Sequence, residues 1–247
     1  MEQNRLNFDS INDALAGPSG GLWYHATAIR RRHNLWSPYL ENVKRWLLHD
    51  WQPRTKELVI FGSSAGWSIP QDFLNRFDRI ICVEPDPLAR WIFTRRFKCR
   101  HLEMRSENDL LPWFTPDPQR FSDFLASVPN AAVLFSNLLG QIPLLLKGEA
   151  LSDSSQARAQ KMFIEDLKGR SWASYHDLIS CKEDSRIQST KFFSKLPTVT
   201  ELGEMYFPDG ATIIDHDTTW ISNDRSTSCA VWQIRPRQSH VVAFVQR

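Results

Sequence analysis

Glu57–Glu84, ELVIFGSSAGWSIPQDFLNRFDRIICVE, decides the fold of this chain. Its runs Leu58–Phe61 and Ile80–Val83 are short, apolar, rich in Val and Ile and bounded by turn residues, which is how buried parallel strands read. Between them a glycine turn leads toward an expected helix. Gly62 and Gly66 bracket Ser63, Ser64 and Ala65, so backbone can approach a ligand closely and the amides at the start of the next helix would face it. Glu84 closes the unit 22 positions after Gly62. At the tip of the second strand, its carboxylate can accept hydrogen bonds from both hydroxyls of a ribose. A strand-turn-helix whose glycine serves only the bend is the bland alternative. The acidic strand tip at this distance favours a nucleoside-containing ligand.

The rest of the chain agrees with a single sizeable enzyme domain. Its 247 residues suffice to bury a full core. A net charge of +2 makes no global electrostatic case for nucleic acid. Ten Trp and fifteen Phe are many, and most are expected in the core with some lining a pocket. Cys82, Cys99, Cys181 and Cys229 are scattered without metal-ligand spacing, so a reduced, cytoplasmic setting is expected. With no signal-peptide pattern or long apolar run at the N-terminus, neither export nor membrane spanning is expected.

Along the chain, residues 1–21 are polar, end in GPSGG and read as a mobile leader. Residues 22–54 read as two helices: Tyr24, Ala28, Leu35 and Trp36, then Leu40, Val43, Trp46 and Leu47, recur at helical spacing, and Pro38 can start the second. Arg30, Arg31 and Arg32 read as a solvated helix face ahead of an anion- or RNA-binding one. In the helix expected over Pro87–Phe97, Trp91, Phe93 and Phe97 interleave with arginines. That pattern suits stacking on bases, but a helix covering a sheet must bury aromatics on one side in any case, and packing is the preferred reading. Further strands are expected at His101–Met104, Ala131–Phe135 and Trp172–Ser180, with helices near Phe121–Ala126 and Leu151–Arg170. The runs CAVWQIRP and HVVAFVQR predict a C-terminal hairpin. His176 is attractive as a general base, although it and Asp177 face opposite ways on a strand, and a structural histidine competes with that role. Asp215, His216 and Asp217 invite a metal reading, yet three adjacent ligands suit one ion poorly, and no metal site is assigned.

GSSAG followed by VEPDP, with a polar residue ending the fourth strand, resembles the class I S-adenosylmethionine-dependent methyltransferases across residues 55–247. Gly62 and Gly66 match the family's glycine turn, with Ser64 in place of the middle glycine. Val83–Pro87 looks like its ribose-binding strand end. Ile60 stands where an acidic residue often orients the cofactor. The tighter GxGxxG fingerprint of dinucleotide enzymes is absent.

The resemblance implies an α/β, Rossmann-like fold: a mostly parallel sheet with helices on both faces, a C-terminal antiparallel hairpin and, over residues 22–54, an N-terminal helical lid. It implies S-adenosylmethionine as cofactor, held by Gly62, Ser63, Ser64, Gly66, Glu84, Pro85 and Asp86, with Glu107 or Asn108 at the adenine edge and Ser136 near the methyl group. Asn137, His176 and Tyr24 are the catalytic candidates, and Gln141 is a further polar neighbour. Methyl transfer from a sulfonium is an in-line displacement that positioning alone can largely drive, so no metal is required. The expected acceptor is a small molecule. RNA methylation, a catalytically inactive binding module and a nicotinamide dehydrogenase are the alternatives.

Overall fold

A computed structural model describes residues 21–106, 119–141, 153–222 and 226–247. The helices are α1 (Gly21–Arg31), α2 (Ser37–Arg45), continued by a π-helical turn at Trp46–Asp50, α3 (Gln71–Leu74), α4 (Pro87–Arg96), α5 (Gln119–Ser127), α6 (Asp153–Asp166), α7 (Val199–Tyr206) and α8 (Thr219–Ser222). The strands are β1 (Glu57–Phe61), β2 (Arg79–Val83), β3 (Leu102–Arg105), β4 (Ala132–Ser136), β5 (Trp172–Cys181), β6 (Lys191–Phe193), β7 (Ile213–Asp215), β8 (Thr227–Arg235) and β9 (Gln238–Gln246). They form one sheet in the order β3-β2-β1-β4-β5-β9-β8-β6, with β7 also paired to β5. β1 to β5 run parallel, while β9, β8, β6 and β7 pair antiparallel. The mostly parallel sheet and the closing hairpin are as the sequence implied. Chain order reverses between β1 and β4, and such a switch point opens a crevice at the carboxyl ends of the strands.

Why the inner strands read as continuous apolar runs is visible in how their residues divide. Leu58 and Ile60, Ile80 and Cys82, Ala132 and Leu134 enter one core; Val59 and Phe61, Ile81 and Val83, Val133 and Phe135 enter a second. Side chains alternate across a strand, so a sheet covered on both faces needs apolar residues at every position. On the first face lie Ala28, Trp36, Tyr39, Val43, Trp46 and Leu47 from the N-terminal helices. Phe121, Phe124, Phe163 and Leu167, from α5, α6 and the turn after α6, cover the second. A third core packs Leu202 and Tyr206 of α7 on the β8–β9 hairpin.

The N-terminal helices are fastened to the far end of the chain. Arg31 donates to the Ile234 carbonyl at 2.9 Å and Trp36 Nε1 to the same oxygen at 3.1 Å. Pro38 starts α2 as expected, because its missing N–H falls where a helix start has no partner for it. The helix expected after the glycine turn is present but short and late: α3 has four residues and begins only at Gln71. Pro70 biases Ile69 away from helical geometry, and the Ser68 hydroxyl is engaged with Tyr175 instead. All four cysteines are free thiols. Among the described residues no helix is long and apolar enough to cross a membrane.

Candidate active site

The switch point gathers the glycine turn and Glu84. Gly62 donates to the Val83 carbonyl, and Gly66 closes the turn onto the Ser63 carbonyl. Gly62, Ser64 and Gly66 all have positive φ, at 68°, 47° and 66°. What their backbone approaches is the protein itself. A Cβ on Gly62 would lie 3.0 Å from Leu138 Cβ; one on Gly66 would lie 2.9 Å from the Phe93 ring and closer still to Phe97. The turn presents amides rather than an open cradle. Glu84, buried at the tip of β2, accepts from the Ser64 amide at 2.6 Å and the Asp86 amide at 3.0 Å. Burial raises its proton affinity above the ordinary carboxylate range, and the Asp86 and Ser64 amides work against that rise. Each oxygen accepts one of these bonds and keeps a further lone pair, so the carboxylate can still receive a diol.

Asp86 ties this loop to the N-terminal helix. Trp67 Nε1 donates to His25 Nδ1 at 3.0 Å, which leaves the ring proton on Nε2, 3.3 Å from Asp86 Oδ2. Asp86 also accepts from the Gly21 and Leu88 amides. The His25 hydrogen bond, ahead of these amides, holds the Asp86 carboxyl down at about 2 in spite of partial burial. Ser63 is buried, with its hydroxyl on the Ser64 carbonyl, and the Pro85 carbonyl accepts from Arg90. Glu107 and Asn108, expected at the adenine edge, lie outside the described residues.

Tyr24, from α1, lies over this turn. Burial lifts its phenol above the ordinary range, Tyr175 adds to the rise, and a hydrogen bond from Ser64 opposes it. Tyr175, central in β5, meets Ser68 Oγ at 2.7 Å and also bonds Ser136 Oγ; its phenol is pushed up to about 12 by burial. Asn137 follows β4 with φ 51°, and its buried Oδ1 has no hydrogen-bond partner. Gln141 lies in the turn beyond, its amide on the Leu138 carbonyl. His176, the next residue after Tyr175, faces the other side of the sheet, where it is fully buried with Nδ1 2.9 Å from Ser174 Oγ. Burial holds its imidazole at about 3, so it stays neutral at physiological pH.

Asp177 points where His176 does not. A bulge in the β5–β9 pairing between Asp177 and Ile179 sends both Leu178 and Ile179 into the third core and returns Ser180 to the face of Tyr175 and Asp177. On that face, polar atoms of Asp177, His216 and His240 all lie within 4.8 Å of one another. His216 comes from the turn after β7, held by its amide on the Leu178 carbonyl. Its ring nitrogens lie 2.9 Å from the Gly140 carbonyl and 2.9 Å from Ser180 Oγ. His240 sits opposite Ser180 and Trp232, and Tyr39 of α2 stacks on Trp232 with ring centroids 5.0 Å apart. The buried Tyr39 hydroxyl and Trp232 Nε1 have no hydrogen-bond partner.

Sequence reasoning placed the glycine turn, Glu84, Ser136 and Tyr24 in one neighbourhood. It missed Tyr175, hidden as one more aromatic in a buried strand, and it missed His240. It set His216 beside Asp215 and Asp217, whereas the fold sets it beside Asp177 and His240. An open groove lined by Trp46, Asp50, Phe192, Phe244 and Gln246 shares none of these residues.

The strand order and switch-point crevice define a doubly wound, Rossmann-like α/β domain. No family model matches the chain, and no curated protein does. Among solved structures it is similar to magnesium protoporphyrin IX methyltransferase from Synechocystis with bound SAM, at 13% identity over 99% of both chains and a TM-score of 0.44. It is similar to a SAM-dependent methyltransferase from Anabaena variabilis, at 13% identity over 87% of this chain and 96% of that one, with a TM-score of 0.41. A complex of DhpI with SAH is similar at 14% identity over 94% of this chain and 95% of that one, again with a TM-score of 0.41.

Proposed function

We propose that this chain is an S-adenosylmethionine-dependent methyltransferase acting on a small-molecule acceptor. The observation that carries the reading is Glu84: a buried carboxylate at the tip of β2, beside the switch point, bonded to the turn amide of Ser64 and able to accept a ribose diol. Gly62, Ser63, Ser64, Gly66, Pro85 and Asp86 shape the loops on either side of it. Ile60 offers no carboxylate to the amino-acid end of the cofactor. The unpartnered Asn137 Oδ1 supplies an acceptor for an ammonium instead. Ser136, Ser68, Tyr175 and Tyr24 form a hydroxyl-rich wall beside it. Bound there, the cofactor supplies an electrophilic methyl group, and the chain's share of the work is to orient it and exclude water.

A small acceptor is supported by the net charge of +2, which makes no electrostatic case for a nucleic-acid substrate. On this reading residues 22–54 serve as the lid. Separate calorimetric titrations with S-adenosylmethionine, S-adenosylhomocysteine and NAD test the assignment. Saturable binding of the first two and none of the third is expected; binding of NAD alone would replace the methyltransferase with a dehydrogenase, and binding of none would leave an interaction module.

A further inference from the structure

We propose that Asp177, His216 and His240 form a binding site for a divalent transition metal of the zinc class, set under the N-terminal helices. Two imidazoles and one carboxylate are the donor set of many open metal sites, in which three protein ligands leave a position for a further donor. The three residues come from β5, the turn after β7, and β9, so the cluster is a product of the fold and not of local spacing.

Three features fit a shared cation better than a shared proton. First, His240 Nδ1 lies 3.1 Å from Asp177 Oδ2, yet it makes no aligned N–H···O hydrogen bond. Donor atoms bound tetrahedrally to one ion at 2.0–2.2 Å stand about 3.3–3.6 Å apart without pointing at each other, only slightly farther than this pair. Second, both ring nitrogens of His240 and the buried Oδ1 of Asp177 are without hydrogen-bond partners. Leaving such groups unsatisfied is costly, and a cation satisfies ring nitrogen and carboxylate together. Third, the tautomer of His216 is settled by its neighbours. A carbonyl can only accept, so Nδ1 donates to Gly140 and Nε2 keeps its lone pair, which the Ser180 hydroxyl engages here and frees for a metal by rotating its proton away. An imidazole that donates one nitrogen to a backbone carbonyl and keeps the other basic is the form that binds metals.

The net charge of the site suggests what completes it. Two neutral imidazoles and one carboxylate leave a divalent ion with one positive charge, which an anionic oxygen or sulfur would neutralise. Resting on the methyltransferase reading, this makes an acceptor hydroxyl or thiol the natural further ligand.

The test uses the full chain stripped of metal with a chelator. Titration with Zn²⁺ by calorimetry, and with Co²⁺ by its visible absorption, should show one ion per chain. Asp177→Asn and His240→Gln, which keep side-chain volume, should each weaken Zn²⁺ affinity by at least about tenfold. Replacement of the exposed His33 by Gln should not. Zn²⁺ should raise the melting temperature of the wild-type chain and leave that of Asp177→Asn unchanged, a readout independent of any activity. Absence of Zn²⁺ and Co²⁺ binding to the wild-type chain, or unaltered affinity in both variants, overturns the site. A parallel titration of the metal-free chain with S-adenosylmethionine reads the methyltransferase assignment separately, so failure of either is distinguishable.

Discussion

At Glu84 burial and hydrogen bonding pull in opposite directions, and burial wins. A carboxyl whose folded value lies above its unfolded one binds its proton more tightly when folded, so its share of stability declines as pH rises through that window. Ribose binding needs the opposite state, because only the carboxylate accepts from both hydroxyls. Affinity for S-adenosylmethionine should therefore fall as pH drops through a window above the ordinary carboxylate range. Two charge-assisted hydrogen bonds, each worth about 1.5–3 kcal/mol, make Glu84→Ala at least about tenfold weaker in cofactor titrations. Unchanged affinity in a folded variant would remove Glu84 from the site.

Asp86 shows the reverse sign. With its carboxyl held at about 2 in the fold against about 4 unfolded, its stabilisation is complete above pH 4 and is lost as pH falls toward 2. Asp86→Asn keeps a capping oxygen for Leu88 but loses the charge facing His25. Urea midpoints of wild type and Asp86→Asn should differ at pH 6 and converge only as pH falls through about 2. A gap that persists at low pH would show that the charge is not what stabilises this loop.

Among the elements, α1 is held to the body of the protein by the chain Trp67–His25–Asp86 as well as by Ala28 in the core. His25→Ala removes both bonds and should cost about 2 kcal/mol, with amide exchange quickening in residues 21–31 ahead of the sheet. Exchange that rises equally everywhere would mean that α1 does not open as a unit. The glycine turn gives a second prediction. Gly66→Ala meets a positive φ and the rings of Phe93 and Phe97 together, so it should lower stability by about 1–3 kcal/mol whether or not cofactor is present. A variant with normal melting but weakened cofactor binding would return Gly66 to a ligand-facing role.

These two elements mark how far the sequence was legible. The parallel strands could be read because burial on both faces leaves an unbroken apolar run, as in Leu58–Phe61 and Ile80–Val83. The turn was located because glycines punctuate it, and Glu84 because it ends a strand at a fixed distance. The late, short α3 was not foreseen, since Ser68 and Pro70 act through a tertiary bond to Tyr175 and a local bias that periodicity does not register. Nor could pattern bring Asp177, His216 and His240 together. Their meeting depends on a one-residue bulge in β5 and on an antiparallel partner some sixty positions on, and neither leaves a local signature.

For the molecule as a whole, the question is what its arginines do. The sequence clusters them at Arg30–Arg32 and Arg95–Arg100, which could suit a nucleic-acid stripe, yet the fold uses several of them internally. Arg31 and Trp36 share the Ile234 carbonyl, while Arg96 donates to the Ala65 carbonyl at 2.5 Å and stacks on Trp67 at 4.2 Å. Burial, with Arg32 nearby, lowers the Arg96 guanidinium to about 10, still charged at neutral pH. Arg32 lies over the same indole at 5.5 Å. Replacing Arg31, Arg32 or Arg96 would therefore disturb the N-terminal helices and the glycine turn before it informed on any partner. The discriminating variant is Arg30→Ser, Arg95→Ser and Arg100→Ser combined, which touches only exposed positions. With a net charge of +2, the chain should bind bulk RNA weakly at physiological salt, with a shallow salt dependence, and the triple variant should keep the wild-type melting temperature and cofactor affinity. Tight RNA binding that collapses with added salt and disappears in the triple variant would move the acceptor from small molecules to RNA, with the exposed Trp91 and its Arg95 partner as the first stacking platform to examine.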